Sequence, residues 1–537
     1  MVRRAQNLGL TVLLLCGMGC TTARRLARLD RQAATYIEAA QRQEFPELAP
    51  ESIDLKLYEA PAGAEGGPPL HLNLRQALAQ AARHNRDYQT SREALFLAAV
   101  SLRVAAHEWE WNLSHNVSGL LSRDFSVPES TLTGDGEAGL SHRLITGAKV
   151  SSTAALNTLR YLSGDRSVSV QSLVDVTVTQ PLLAGAGPLV ARESLTRAER
   201  NLVYALRSYV RARKRLVLDV AGSYYGVLRA AESLTIARQN WEQSRAARER
   251  SEFLSEAGRV PAFQVDQARQ DELNANVALV NQEQAYAASL DGLKQQLGLP
   301  LGMVLEADRA DLEVLMQGQL PTPPMTCDAA IAAALRDRLD FVTAQNEVED
   351  AERAVKIARN AMLPKLDLTL SANASSPQDS RLRDIAWSEG AASAGLSGEL
   401  PLDRTSETAD LRAAMIRLEQ RRRALDRMRD QIGAELLGDW RNLKATEQNS
   451  QIQANSVDLA RRRGESTELL FQAGRVDMRD VLDARNALPR ARDAYVQALV
   501  NHRLAWLQLL YDLEQLPTEP ETLWSPALTV GAAAAAR

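Results

Sequence analysis

A chain of 537 residues exceeds one ordinary compact domain. Its charges nearly balance, with a net charge of -4 and a pI of about 6.0, so nothing in the charge argues for nucleic acid as a partner. Aromatic residues make up only 5%, low for a core packed on Phe and Tyr, and three cysteines exclude a disulfide scaffold.

The N-terminus reads as a targeting signal. Arg3 and Arg4 precede an apolar run, Leu8 to Leu15, too short to span a bilayer. Gly17-Met18-Gly19-Cys20 then resembles a bacterial lipobox. This predicts a signal peptide over residues 1–20 and lipidation of Cys20, with ordinary cleavage as the alternative. No later segment reaches 18 apolar residues, so any membrane-spanning part has to be a β-barrel. Residues 21–70 turn from a short helix, about Arg25 to Arg42, into a Pro/Gly-rich linker or strap.

An internal repeat follows. Ala77, Ala81, Arg83 and Asp87 recur as Ala330, Ala334, Arg336 and Asp340, and Pro181-Leu182 recurs as Pro401-Leu402. Ala257-Gly258-Arg259-Val260 recurs as Ala473-Gly474-Arg475-Val476. The offset falls from about 253 to about 220, so the first copy carries about 33 extra residues before its Pro-Leu turn. The copies span residues 71–300 and 325–516, with a Pro-rich linker at 301–324 and a tail at 517–537.

Each copy has the same predicted order. A helix opens it (73–110; 326–363), with Asn73 and Gln76 as a capping box and Thr326 as an N-cap. Strands follow, alternating in Val174 to Thr179 and Leu366 to Ser371, and more weakly in Trp111 to Leu121, Gly136 to Leu156 and Ala392 to Leu400. A very long helix comes next (188–255; 405–471), then a glycine turn and a shorter helix (262–298; 478–515). At 1.5 Å per residue the long helices reach roughly 100 Å, a length suited to a tube or coiled coil. Val481, Leu488, Tyr495, Leu499, Trp506, Leu509 and Leu513 recur at coiled-coil spacing. Pro489 interrupts that pattern and predicts a kink or break.

Together, Pro364 before a strand, Gln180-Pro181-Leu182 before a long helix, and Ala473-Gly474-Arg475-Val476 ahead of Asp480-Val481-Leu482-Asp483-Ala484 resemble the TolC family of outer-membrane factors. The resemblance covers about residues 71 to 516. It implies a mainly α fold with a membrane β-barrel part: three copies form an α-helical periplasmic tunnel below a shared barrel of 12 strands, four from each copy. It implies outer-membrane lipid around the barrel, and a periplasmic adaptor and an inner-membrane transporter docked below. The extra residues of the first copy are either a long loop or an added hairpin around Arg143 to Asn157.

The resemblance also assigns Asp480 and Asp483 to a pore constriction. Spaced by three on one helix face, they would ring a narrow aperture and favour cations. Alternatively, they offset the helix dipole. Candidate gate contacts are Phe471, Arg475, Val476, Arg479 and Gln264. Candidate adaptor-contact tips are Gly258, Arg259, Gly474 and Arg475, where the glycines equally serve to shape a turn.

No catalytic motif emerges. The six histidines are scattered without metal-ligand spacing, and Gly185-Ala186-Gly187 lacks a third glycine of a dinucleotide fingerprint. No cofactor or metal is expected, and the chain reads as an exit duct driven by a partner pump. The alternatives are a periplasmic adaptor, which would hold one hairpin rather than two strand-bearing repeats, and a coiled-coil lipoprotein without a pore.

Overall fold

The computed structural model describes residues 2–46, 70–123, 130–161, 168–317, 321, 323, 325–377 and 385–518. The Pro/Gly-rich stretch at 47–69 and most of the C-terminal tail lie outside these residues. Helix α1 (Val2–Glu44) includes the apolar signal and continues past it; the side chain of Cys20 falls outside the description. No described helix is long and apolar enough to cross a membrane.

The chain divides into two units. Unit 1 holds residues 1–54, 94–206 and 343–425. Its centre is one antiparallel sheet of six strands. These are β2 (Asn112–Arg123), β3 (Ser130–Arg143), β4 (Lys149–Tyr161), β5 (Val168–Pro181), β7 (Lys365–Ser375) and β8 (Ala391–Glu399), paired in chain order. The expected mixture of helices and a β part is therefore present, but the sheet has six strands where the resemblance implied four. The reason is the insertion, which folds as a hairpin. By the repeat offsets, β2 matches β7 and β5 matches β8, so β3 and β4 are the added residues. The segment Gly136 to Leu156, read as one strand region, is two strands joined at Leu144 to Ala148, where the Leu144 N–H donates to the Ala148 carbonyl at 2.7 Å.

Unit 1 also holds most of α3 (Arg86–His107), where Leu95, Ala99 and Leu102 are buried, and α1, where Ala33 and Ile37 are buried. The Arg103 guanidinium donates to Gln32 Oε1 at 2.9 Å, tying α3 to α1. Helix α9 (Leu339–Ala361) is joined to α5 (Glu193–Glu256) by a half-buried ionic cluster. In it Arg353 meets Glu193 at 2.8 Å and the Tyr204 hydroxyl donates to Asp350 at 2.6 Å. Burial, then that hydrogen bond, pushes the Tyr204 pKa up to about 12.

Unit 2 holds residues 55–93, 207–342 and 426–537. The segment between the repeats, which the sequence reads as linker, forms β6 (Leu305–Ala307), paired in parallel with β1 (Leu70–Leu72) at the start of the first copy, and a helix, α7 (Ala310–Gln317). Tyr224, fully buried on α5, donates its hydroxyl to Asp311 Oδ2 at 2.6 Å, and the Leu74 N–H reaches the same oxygen at 3.1 Å. One carboxylate thus fastens α7 to the start of α2 (Leu74–His84).

Each opening helix is broken rather than continuous. α2 ends at Asn85, and its counterpart α8 (Cys327–Asp337) ends at Arg338; both cap residues have extended backbone, with ψ of 123° and 116°. Asn85 turns the chain by accepting the Tyr88 N–H at 2.8 Å while donating to the Gln296 carbonyl, also at 2.8 Å, on α6 (Ala262–Leu297). The predicted caps hold: Asn73 and Gln76 form the capping box, and Thr326 Oγ1 accepts from Ala329. Helix α10 (Thr405–Gln472) and helix α11 (Met478–Asp512) complete the second copy. The knob residues Val481, Leu499, Trp506 and Leu509 of α11, and Leu513 at its C-cap, are buried. Pro489 does not break it; the helix runs on to Asp512.

Candidate functional site

The turns joining the long and short helices of each copy are built alike. Arg259 donates its backbone N–H to the Leu254 carbonyl at 2.8 Å, and Arg475 to the Leu470 carbonyl at 2.9 Å. Both place a glycine, Gly258 or Gly474, at φ +68°, the left-handed position that closes such a helix end with little steric cost. Pro261 and Asp477 then occupy the same N-cap position, before α6 and α11. Arg259 and Arg475 are exposed, as are Phe253 and Phe263 on either side of the first turn. These tips present a cation and apolar rings to whatever meets them.

Helix α11 begins with two distinct faces. Val481 and Leu482 are buried and cluster with Ala247 of α5, with Phe471 packed against them. Asp480 and Asp483 are exposed on the remaining face, and neither makes an ion pair among the described residues. Phe471 therefore sits in an apolar contact, consistent with a side chain that has no hydroxyl. Val476 and Gln264 are half-buried. Arg475 and Arg479 are exposed and reach no carboxylate among the described residues. Of the residues singled out from sequence, the structure gathers Phe471 against the core under Asp480 and Asp483 and leaves the two arginines apart.

Two neighbours were not legible from motif matching. Glu468 of α10 lies between Arg250 of α5, at 3.0 Å, and Arg485 of α11, at 2.6 Å. Burial alone would raise its pKa, but the two guanidinium groups hold it below the usual carboxylate range. The repeat offset offered a signal here, because Glu468 and Arg485 stand where Glu252 and Arg269 stand in the first copy. Asp271 of α6 has its pKa raised by burial and further by Asp483, against a 3.5 Å contact from Asn486. It lines a cavity of about 270 Å³ with Ser233, Asn240, Asn274, Asn486 and Pro489. Proline supplies no N–H to its helix, so this stretch of α11 lacks one rung beside a polar void.

A second charged group lies elsewhere in unit 2. Arg338, nearly buried, contacts Glu435 at 2.9 Å, Asp340 at 3.1 Å and Asp512 at 3.5 Å. Beside it Asp439 is pushed up to about 7 by burial, then by Asp512 and Glu435, with Arg338 opposing.

The sheet has a sidedness that bears on function. Adjacent partners such as Leu113 with Leu140, Ala154 with Val174, Val178 with Leu370 and Leu368 with Leu396 share one face. The other face carries pairs such as Asp135 with Asn157 and Thr369 with Gly395. Trp111, largely exposed, stacks on His142 at 4.6 Å where the sheet meets α3. An apolar band bounded by an aromatic ring and backed by a polar face is the pattern of a barrel wall in lipid.

A profile of the outer membrane efflux protein family matches residues 141–299 and 330–511. Among solved structures, the chain is similar to the CmeC outer membrane channel of Campylobacter jejuni, with 13% identity over 85% of this chain and 89% of that one, at a TM-score of 0.60. It is similar to the outer membrane protein VceC of Vibrio cholerae, with 18% identity, 82% and 95% coverage, and a TM-score of 0.59. It is also similar to the open state of the MtrE outer membrane channel of Neisseria gonorrhoeae, with 15% identity, 83% and 90% coverage, and a TM-score of 0.62. A search of curated proteins returns no match.

Proposed function

The chain belongs to the outer membrane efflux protein family and is an outer-membrane exit duct, not an enzyme; from that premise we propose that it works as a homotrimer with a cation-favouring constriction at Asp480 and Asp483. The observation that carries the constriction is the two-faced start of α11. Its apolar side is anchored on α5, so the carboxylates are held on the opposite side, free of ion pairs among the described residues. Three copies would bring six carboxylates to one ring, attracting cations and repelling anions. A periplasmic adaptor docks on the exposed Gly258-Arg259 and Gly474-Arg475 tips, and an inner-membrane transporter supplies the energy. Strands in both repeats favour this reading over a periplasmic adaptor or a poreless coiled coil.

Single-channel recording in planar bilayers tests the constriction. The wild type should show a small conductance that prefers cations. Asp480→Asn/Asp483→Asn should lose most of that preference, with a reversal potential moving toward zero in a salt gradient. A double variant with unchanged selectivity places the constriction elsewhere. The duct is further proposed to be anchored in lipid through Cys20. Cells fed labelled palmitate should label the wild type and not Cys20→Ser; equal labelling removes the anchor.

A further inference from the structure

We infer that the β3–β4 hairpin is part of the barrel wall, so that each subunit contributes six strands and a trimer closes a barrel of 18. This rests on the trimeric reading above. A repeat unit with two strands is enough for a barrel of 12, and the second copy here has two among the described residues, β7 and β8. The first copy has four, and the alternative is that the extra hairpin hangs off a smaller barrel as a flap.

Four observations oppose a flap. The hairpin does not lie beside the sheet but within it: β3 pairs with β2 over twelve residues, and β4 pairs with β5 over twelve. The sidedness runs through it without a change of register. Leu132, Ala138 and Leu140 of β3, and Ala154 and Leu156 of β4, continue the apolar face, while Asp135 and Glu137 fall on the polar one. A flap in water would have no reason to keep that alternation, and a one-residue slip would invert it.

The base of the hairpin is also fastened on both sides. Arg143 reaches Glu108 at the end of α3 at 3.3 Å. Thr146 in the turn donates to Gln180 Oε1 at 2.8 Å, and its carbonyl accepts the Gly187 N–H at 3.1 Å. The Gln180 to Gly187 turn leads into the long helix, so the hairpin is held level with the other strands. Finally, the strand lengths match: β3 and β4 have 14 and 13 residues, enough for the 9–11 that a tilted strand needs to cross a membrane.

Closure follows from parity. Six strands that alternate in direction leave β2 and β8 antiparallel, and each has one neighbour among the described residues. The free edge of β8 can therefore pair with β2 of a second copy in the same antiparallel sense, and no open edge remains in lipid. The apolar faces match across this seam when odd-numbered residues of β2, such as Leu113 and Val117, lie beside even-numbered residues of β8, such as Leu396. With strands about 4.8 Å apart and tilted about 40°, 18 strands give a barrel about 36 Å across, against about 24 Å for 12. The outer-membrane segment is then too wide to sieve small solutes, and selection falls to the helical end of the duct.

Disulfide trapping separates the two barrels. In a flap structure β2 would pair directly with β5. The observed partners Leu370 and Ala394 are the repeat equivalents of Val117 and Val174, so those two would then be neighbours. In the six-stranded wall they are three strand spacings apart, about 14 Å, beyond the roughly 7 Å that a disulfide tolerates. Ala154 is the partner of Val174 instead. Full-length protein lacking Cys327 would carry Val174→Cys with either Ala154→Cys or Val117→Cys, and links would be mapped by peptide mass spectrometry. The expected result is a link within the chain for Ala154→Cys and none for Val117→Cys. A link for Val117→Cys, or none for Ala154→Cys, overturns the six-stranded wall while leaving the duct intact. Leu396→Cys combined with Leu113→Cys, Val117→Cys or Leu121→Cys tests the seam, and at least one combination should link two chains. Links from Leu396→Cys to a cysteine on β4 of another chain would overturn the seam. The absence of any link between chains would remove the shared barrel and the trimeric reading with it.

Discussion

Asp439 owes its raised pKa to burial, to Asp512, which is remote in sequence, and to Glu435, one turn away on the same helix. Burial comes first, and Asp512 and Glu435 then oppose its ionisation, so the folded carboxyl keeps its proton up to about pH 7. An unfolded aspartate loses its proton near pH 3.9. Between those values the folded state binds more protons, so this group's contribution to stability declines as pH rises and levels off above about 7. Asp439→Asn should flatten that decline and make the protein more stable than wild type at about pH 8 in urea titrations. A variant with the wild-type slope would show that Asp439 is already ionised. That Asp480 and Asp483 share one exposed helix face is legible in the sequence, because the relation is local, three residues along one helix. The charge state of Asp439 is not legible that way, because it depends on burial and on Asp512 and Arg338 converging on it through tertiary packing.

The same repeat position ends both short helices, by different means. In the first copy Gly298 adopts φ +71°, and a Cβ there would lie 2.1 Å from the His84 carbonyl oxygen. In the second copy the equivalent is Glu514 at φ +60°. Its left-handed backbone is held by Lys214, whose Nζ meets the carboxylate at 2.9 Å, and by Arg211 at 3.6 Å. Gly298→Ala should therefore lower stability by more than the roughly 1 kcal/mol of backbone strain alone, since α2 has to move off the end of α6. Chemical denaturation reads this, and a loss below about 0.5 kcal/mol would mean the two helices are not closely docked. Glycine marked the first helix end in the sequence. The second was hidden, as were the breaks at Asn85 and Arg338, because a tertiary hydrogen bond or ion pair does the work usually left to glycine or proline.

At the scale of the molecule, a single copy leaves apolar surface uncovered. Leu273, Val277 and Val280 form a stripe at helical spacing on α6, each more than half exposed. In a trimer such a stripe would meet the neighbouring subunit, and introducing a charge there would cost the burial of that surface. Val277→Glu should leave helix content unchanged by circular dichroism while shifting the protein from trimer to monomer in detergent sizing; an unchanged trimer would place the interface on another face. By itself the sequence determined the repeat, the long and short helices that close each copy, the alternation of the strands and the size of the insertion, because each is a local pattern of spacing that any fold has to respect. Only the tertiary structure decided that the insertion is two paired strands rather than a loop, that the segment between the repeats contributes β6 and α7, and that Glu468 bridges two arginines. Those outcomes depend on which distant segments supply hydrogen-bond partners and opposite charges, and spacing along one chain does not encode that.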